Sequence, residues 1–346
     1  MSQRICICGV QVPFARGGAE MLVDALRVAL QAHGHRVDVV NLPFKWYPAR
    51  EVITHALPWR LIDLTESQGV TIDRVICTKF PTYAVRHPNK ALWLFHQFRQ
   101  AYDLLGTEYG ELGDHSEDVA VLDAVRRMDA EAIPECRHRY TIAKNVSGRL
   151  QHYNGIDSQA LYPPPPQGDR YRPGPYGDYV LSVGRLDAIK RVDLLLRALA
   201  ASHTRLRTVI TGIGGDLPRL QAVAHTLGIE ARVDFAGFVS DERLLELYEG
   251  ARAVFYAPYD EDYGFVTLEA MRSAKPVITT TDAGGVLEFV THEHTGLVGA
   301  PDPAALGLLL DRLADDTALC ERMGAAGLQQ TGHITWETVV AALTAP

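Results

Sequence analysis

The chain begins with a short apolar run, an amphipathic stretch and a second apolar run. Residues 4–10 predict a buried strand, and from Ala19 onward apolar residues recur at the spacing of one helix face until Gly34 ends the pattern. Residues 35–42 are again strand-like. This order of strand, helix and strand predicts a β-α-β unit, whose two strands lie parallel in one sheet.

The same alternation continues along both halves of the chain. Further strands of the first half are predicted at residues 73–77, 91–95 and 140–143. In the second half, strands at 179–183, 206–211, 232–236 and 252–257 alternate with helices at 190–201, 216–227 and 241–249. Short strands separated by helices are typical of parallel sheets covered on both faces. The predicted fold class is therefore α/β, with two doubly wound, Rossmann-like domains.

A change of composition separates the two halves. Residues 155–177 are rich in glycine and polar residues and include four consecutive prolines at 163–166, a run that is stiff and cannot join a sheet. A length of 346 residues also exceeds what one hydrophobic core usually supports. We therefore predict an N-terminal domain at residues 1–160 and a C-terminal domain at 161–329.

Charge and apolar content exclude several classes of protein. Residues 1–160 carry eighteen basic and eighteen acidic side chains, so the net charge of -8 lies in the rest of the chain and argues against a nucleic-acid partner. No apolar stretch approaches the roughly 18 residues of a membrane span, and no apolar segment precedes the first strand. We expect a cytoplasmic protein whose five cysteines are reduced core residues.

A loosely basic stretch in the first half has two interpretations. Seven Arg, Lys and His side chains lie between residues 126 and 149. A solvated helix face is the more common cause of such a pattern, and contact with anionic lipid head groups or a phosphorylated acceptor is the other. The second interpretation would place the protein peripherally at the inner face of a membrane.

The first candidate site follows the strand predicted at residues 179–183. Gly184, Arg185 and Lys190 lie across the junction between that strand and the next helix. A helix N-terminus offers free N–H groups and a positive dipole end, and the two cations add full charges, so the junction predicts a diphosphate site. An ordinary surface turn has the same composition.

A second candidate site contains two carboxylates, Glu261 and Glu269, in a loop and in the helix that follows it. Both are expected to face one ligand, whose phosphates would meet the N–H groups of Gly264, Phe265 and Val266. Carboxylate oxygens accept hydrogen bonds from vicinal sugar hydroxyls. The alternative is an acidic surface loop beside an unrelated helix residue.

Glycines and a histidine follow other predicted strands. The pairs at residues 17–18 and 284–285 would let the backbone approach a ligand closely. Gly17 and Gly18 lack the spacing of a GxGxxG site, which disfavours a nicotinamide cofactor. His96 ends the strand at 91–95 and begins a polar cluster that would face the ligand crevice, and a structural histidine is the alternative.

Taken in this order, the elements resemble those of the GT-B glycosyltransferases of family 4 (group 1), which transfer a sugar from a nucleoside diphosphate with retention of configuration. The resemblance covers essentially the whole chain. It rests on the loop at 17–20, on His96, and on the segments at 184–190, 237–239 and, above all, 261–269, which resembles the E-x7-E element of the family. It implies two facing Rossmann-like domains, with a last helix within residues 330–346 that crosses back to the N-terminal, acceptor-binding domain.

The resemblance also implies a role for each candidate residue. Arg185 and Lys190 would bind the donor diphosphate, Glu261 would hold hydroxyls of the transferred sugar, and Glu269 would accept from the ribose. His96 would lie beside the transferred sugar. The implied catalytic residues are Arg185, Lys190, Glu261 and His96, and Glu269 is an implied donor-binding residue.

The remaining implied contacts come from backbone. The region of Phe238 and Val239 would read the base, Gly184 and residues 264–266 would adjoin the phosphates, and the loop at Gly17 and Gly18 would close over them. The nucleotide sugar is a substrate rather than a cofactor. The overall resemblance to bacterial surface-polysaccharide enzymes favours GDP-mannose, and a UDP-hexose is the alternative.

No metal is implied, although residues 260–262 spell the DxD metal element of a different glycosyltransferase fold. The implied acceptor is a glycan or a lipid-linked molecule in bacterial surface polysaccharide synthesis. Alternatives on the same fold are a sugar-nucleotide epimerase, a glycoside phosphorylase and a non-catalytic subunit that binds a sugar nucleotide.

Overall fold

A computed structural model of the chain describes residues 2–14 and 17–346 and divides into two compact units. The first unit runs to Pro166 and includes Ile334–Pro346, and the second unit is Gln167–His333. The division falls after Pro166 rather than after residue 160, because Leu161 is still bound to the first sheet. Its N–H donates to Thr141 O at 2.7 Å, and its carbonyl accepts from the Trp93 indole at 2.9 Å.

The first unit is built on one parallel sheet. Its strands are β1 (Arg4–Gln11), β2 (Arg36–Pro43), β3 (Glu66–Ser67), β4 (Val70–Thr71), β5 (Arg74–Cys77), β6 (Lys90–Leu94), β7 (His138–Thr141) and β8 (Gln159–Ala160). Its helices are α1 (Gly18–Ala32), α2 (Glu51–Leu61), α3 (Ser116–Ala132) and α4 (Lys144–Asn154). The sheet order is β2-β1-β5-β6-β7-β8 with parallel neighbours, and β3 and β4 form a separate antiparallel pair.

The second unit is a parallel sheet of the same kind. Its strands are β9 (Tyr179–Val183), β10 (Arg207–Thr211), β11 (Val233–Gly237), β12 (Ala253–Phe255), β13 (Val277–Thr280) and β14 (Gly296–Gly299). Its helices are α5 (Val192–Ala201), α6 (Leu217–Thr226), α7 (Asp241–Gly250), α8 (Phe265–Arg272), α9 (Pro303–Asp315) and α10 (Thr317–Thr331). The strand order β11-β10-β9-β12-β13-β14 reverses its direction at β9, where ligands of such sheets bind.

Burial explains why the central strands of both units are mainly apolar in sequence. Residues 5–10 of β1 and all of β6 are buried, as expected for strands covered on both faces. In the second unit, Val180, Phe255 and Ile278 pack with apolar residues of α5, α9 and α10. The predicted α/β class with two Rossmann-like domains is confirmed.

Three predicted elements have boundaries that differ from the structure by one or two residues. The helix predicted at 190–201 begins at Val192, because Arg191 adopts a left-handed conformation with φ +50° that ends a short 3-10 turn at Ala188–Lys190. The strand predicted at 140–143 is His138–Thr141, and the strand predicted at 252–257 is Ala253–Phe255.

The last helix, α11 (Trp336–Thr344), belongs to the first unit. The Trp336 ring packs edge-on against Trp93, with ring centroids 6.3 Å apart. The buried guanidinium of Arg74 donates to Leu343 O at 2.6 Å and to Ala345 O at 2.5 Å. A cation at a helix C-terminus satisfies carbonyls that have no partner within the helix.

Replacement of Arg74 by alanine is expected to lower the free energy of unfolding of the first unit by about 3 kcal/mol, because buried carbonyls lose charged donors. Chemical denaturation measures the loss. Arg137→Ala removes an exposed arginine from the same unit and is the control. Equal stability of the two variants would contradict the anchoring role of Arg74.

Candidate functional site

Three loops of the second unit meet at the carboxyl ends of adjacent strands. They follow β9, β12 and β13, which are neighbours in the sheet. The loops are joined by backbone hydrogen bonds, from Tyr259 N to Ile189 O and from Asp260 N to Asp282 O, both 2.9 Å, and by a parallel bridge between Glu261 and Gly284. The three predicted segments at 184–190, 261–269 and 284–285 therefore lie together.

Glycines allow the loop after β9 to pack against the loop after β10. A Cβ at Gly212 would lie 1.9 Å from the carbonyl oxygen of Gly184, and a Cβ at Gly214 would lie 2.2 Å from Leu186 O. Gly184 has φ +142°, and a Cβ built there meets no described atom within 4 Å. Backbone at Gly184 therefore borders open space, as close approach of a ligand requires.

Lys190 and Glu261 form an ion pair at the centre of this group of loops. The Lys190 ammonium contacts Glu261 Oε2, and the Tyr256 hydroxyl donates to the same oxygen at 3.0 Å. The Lys190 and Glu261 side chains are 18% and 15% exposed, so each retains access to solvent. Lys190 lies in the 3-10 turn before α5, not in the first turn of that helix as predicted.

Arg185 is the exposed cation of the site. Its side chain is 67% exposed and pairs with Asp187 at 2.9 Å. A small cavity next to it is lined by Ser182, Gly184, Lys190, Thr211 and Tyr256, among others. Two cationic side chains thus border one opening at the strand ends, which is the arrangement that binds phosphate groups.

Glu269 is the buried carboxylate of the site. It lies on α8, is 8% exposed, and accepts a hydrogen bond of 2.6 Å from the fully buried Tyr248 hydroxyl. Tyr171 hydrogen-bonds the same carboxylate. Burial raises the pKa of the Glu269 carboxyl, and the two hydroxyl donors act in the opposite direction.

Helix α8 begins where the predicted anion-binding backbone lies. Gly264 precedes the helix with φ +79°, and a Cβ there would lie 2.8 Å from the Tyr256 ring. Phe265 and Val266 form the first turn. Phe238 and Val239 follow β11, two strands from β9, and the Phe238 side chain is 83% exposed.

Arg191 connects the three loops and was not among the predicted site residues. Its guanidinium, which is 10% exposed, donates to Ala257 O and Pro258 O, both at 2.9 Å. It also donates to both carboxylate oxygens of Asp282, at 2.8 and 2.7 Å, and to the Thr280 hydroxyl. The sequence carried only a weak signal, a second basic residue after Lys190.

In the first unit, the predicted glycine loop is held by an ion pair. Gly17 N donates to the Glu20 carboxylate at 2.9 Å, and Lys79, at the end of β5, contacts the other oxygen of that carboxylate at 3.1 Å. Gly18 begins α1. Burial raises the pKa of Glu20 and Lys79 lowers it, with a net lowering, so the carboxylate stays ionised.

His96 lies at the end of β6, as predicted, and joins a polar network. Its Nδ1 lies 2.7 Å from Gln97 O, and the Gln97 side chain donates to Asn154 at the end of α4. Asn154 donates to the Tyr102 hydroxyl, which donates to the fully buried Asp129 at 2.8 Å. Hydrogen bonds thus connect His96, through Gln97, to residues of α4 and α3.

The described residues contain neither a cluster of candidate metal ligands nor a candidate membrane-spanning helix. Within residues 2–14 and 17–346, no group of three or more His, Cys, Asp or Glu side chains could hold a metal ion. In the same ranges no helix has the length and apolar content needed to cross a membrane.

Comparison with known proteins identifies the class of the fold. The chain superimposes on a sucrose-phosphate synthase from Thermosynechococcus elongatus with a TM-score of 0.77 and 17% identity, over 97% of this chain and 96% of that one. It superimposes on Anabaena HepE in complex with UDP-glucose with a TM-score of 0.72 and 17% identity, over 98% of each chain. The two parallel-sheet units therefore have the GT-B fold.

Sequence comparison finds relatives for the second unit. Residues 174–330 match the family model of glycosyl transferases group 1. D-inositol 3-phosphate glycosyltransferase from Streptomyces avermitilis is 33% identical over 175 residues, which are 47% of this chain and 38% of that protein. The chain spans 36% to 51% of the length of these curated relatives.

Loss of Arg191 is expected to destabilise the second unit by about 3 kcal/mol, because buried carbonyls and Asp282 lose their donors. Arg191→Lys should not restore the loss, since an ammonium cannot reach the same set of acceptors. Chemical denaturation measures both variants, with Arg197→Ala on exposed α5 surface as the control. Wild-type stability of Arg191→Lys would be inconsistent with this account.

The stability of the first unit should depend on the ionisation of Asp129. Burial raises the pKa of its carboxyl to about 7, so the folded chain binds more protons than the unfolded chain between about pH 4 and 7. The free energy of unfolding should fall as the pH rises through that window, by on the order of 2 to 4 kcal/mol.

Asp129→Asn should remove this fall, as urea denaturation across the same window would show. The matched control is Asp123→Asn, which replaces an exposed carboxylate on the same helix. The assignment to Asp129 is wrong if the dependence on pH is the same in both variants.

Proposed function

We propose that this protein is a retaining glycosyltransferase that moves a hexosyl unit from a nucleoside diphosphate sugar to a glycan or lipid-linked acceptor. One observation carries the proposal: Lys190, paired with Glu261, and the exposed Arg185 border one opening at the carboxyl ends of β9 and β12. A diphosphate needs cations, and a sugar needs hydrogen-bond acceptors, so this group of side chains suits both halves of the donor.

Each side chain has a proposed part in the reaction. Arg185 and Lys190 stabilise the negative charge that develops on the diphosphate as the glycosidic bond breaks. Glu261 accepts hydrogen bonds from hydroxyls of the transferred sugar, and Glu269 accepts from the ribose. In the mechanism proposed for retention, the acceptor attacks on the face of the leaving group, and the donor phosphate takes its proton.

The unit that carries this site is the part that matches the family, which supports donor binding there. The Gly17–Gly18 loop and His96 lie in the first unit, and their proposed parts are contact with the donor phosphates and with the transferred sugar. Between the two donors expected from the sequence, a UDP-hexose gains support, because the similar HepE structure holds UDP-glucose. Backbone near Phe238 and Val239 is proposed to read the base.

The acceptor is the less constrained partner. The curated relative from Streptomyces avermitilis is named for D-inositol 3-phosphate, but that match covers less than half of either chain. We propose a glycan or lipid-linked acceptor, and inositol phosphate is the alternative that an acceptor assay should include. Product anomers identified by NMR would test retention directly.

A nucleotide panel tests the donor site. UDP, GDP and ADP with their common hexose conjugates are added to the wild type, and the melting temperature is followed, because a ligand of the native state raises its apparent stability. One nucleotide family should stabilise the protein. Arg185→Ala should weaken that response and lower the turnover of the matching donor by about a hundredfold.

Arg197→Ala is the matched control, because it removes another exposed arginine of the second unit that pairs with an aspartate. It should bind nucleotide and turn over donor like the wild type. No stabilisation of the wild type by any nucleotide would exclude the proposed function, and equal behaviour of the two arginine variants would exclude the role of Arg185.

A further inference from the structure

Two tyrosines enclose the carboxylate of Glu269. The fully buried Tyr248 donates its hydroxyl to Oε2 at 2.6 Å, and Tyr171, 6% exposed, hydrogen-bonds the same carboxylate. The two rings pack edge-on, with centroids 5.5 Å apart and planes at 88°. The position of the carboxylate is therefore set by packing as well as by hydrogen bonds.

Tyr171 comes from residues 167–178, which we call the strap, at the start of the second unit. The strap is fastened at a second place, where the Lys275 ammonium donates to Gly174 O and Pro175 O, both at 2.8 Å. The Tyr176 hydroxyl donates to Ala274 O at 2.8 Å, and its ring lies under the Lys275 ammonium. The strap thus contacts the middle of α8, at Glu269, and the segment that follows the helix, at Ala274 and Lys275.

The two tyrosine hydroxyls use only part of the hydrogen-bonding capacity of the Glu269 carboxylate. An ionised carboxylate has about four lone-pair positions, and two hydroxyl donors leave the others for a ligand. A bidentate arginine would occupy both oxygens and neutralise the charge. The charge of this carboxylate also acts on Tyr256, after β12, and the charge of Asp241, at the start of α7, acts on Tyr171. The described surroundings are thus mainly phenolic.

We propose that Tyr171 and Tyr248 are positioning residues that orient the Glu269 carboxylate to accept hydrogen bonds from the ribose diol of the donor. The strap, through Tyr171, is then a determinant of selectivity for ribonucleotides over 2′-deoxyribonucleotides. This inference rests on the proposed function, since it requires a nucleoside diphosphate at the site.

Calorimetric titration with UDP and GDP and with their 2′-deoxy forms tests the inference. The wild type should prefer the ribonucleotide by roughly tenfold, and Tyr171→Phe and Tyr248→Phe should reduce the preference to about threefold or less, mainly by weakening ribonucleotide binding. Tyr176→Phe is the matched control, because it removes one strap hydroxyl that does not contact Glu269. It should keep the wild-type preference.

Dependence on pH gives a readout that a purely structural role would not change. Loss of one hydroxyl donor raises the pKa of Glu269 further, so ribonucleotide affinity should begin to fall at a higher pH in Tyr171→Phe than in the wild type as the pH is lowered. The same shift should be absent in Tyr176→Phe.

The outcomes separate this inference from the function on which it rests. Full ribose preference in Tyr171→Phe, or equal loss of it in Tyr171→Phe and Tyr176→Phe, overturns the inference. Wild-type nucleotide binding without preference for ribose overturns the inference alone. No nucleotide binding by the wild type overturns the inference together with the proposed function.

Discussion

The site of the second unit depends on the buried guanidinium of Arg191. Three adjacent parallel strands end in loops whose carbonyls have no partner in the sheet, and buried carbonyls without donors are costly. Arg191 supplies donors to Ala257 O, Pro258 O, Thr280 and Asp282. One side chain thereby fixes the ends of β12 and β13 relative to the start of α5.

The backbone of Arg191 shows the strength of this constraint. A left-handed conformation costs a non-glycine residue about 1 to 2 kcal/mol, and it persists only where the surroundings determine it. The turn that it creates separates Lys190 from α5 and directs it to Glu261 and Tyr256. The left-handed residue and the ion pair of Lys190 thus lie in the same turn.

Elements whose limits depend on the local pattern of apolar residues could be predicted from the sequence. Helix starts and side-chain contacts that depend on residues far along the chain could not. The strand at Tyr179–Val183 was predicted to the residue, because burial on both faces favours a mainly apolar run, which here lies between Asp178 and Gly184. The start of α5 was missed, because the sequence around Arg191 does not distinguish a surface arginine from a buried one. The groups that Arg191 binds lie at the ends of β12 and β13, far along the chain. The pairing of Tyr171 with Glu269 joins segments far apart in the chain, and neither segment has a pattern that indicates the other.

The two glutamates of the site show how identical side chains acquire different properties. Glu261 pairs with the Lys190 ammonium and retains partial exposure, so its charge is balanced and both groups remain accessible to solvent. Glu269 lies among phenols, which donate hydrogen bonds without cancelling its charge. A ligand with hydroxyls can add to the free lone pairs of Glu269, whereas a ligand with phosphates competes with Glu261 for Lys190. The two carboxylates are eight residues apart in the sequence and belong to one site. Their different partners, an ammonium for Glu261 and phenols for Glu269, give each carboxylate a different proposed role.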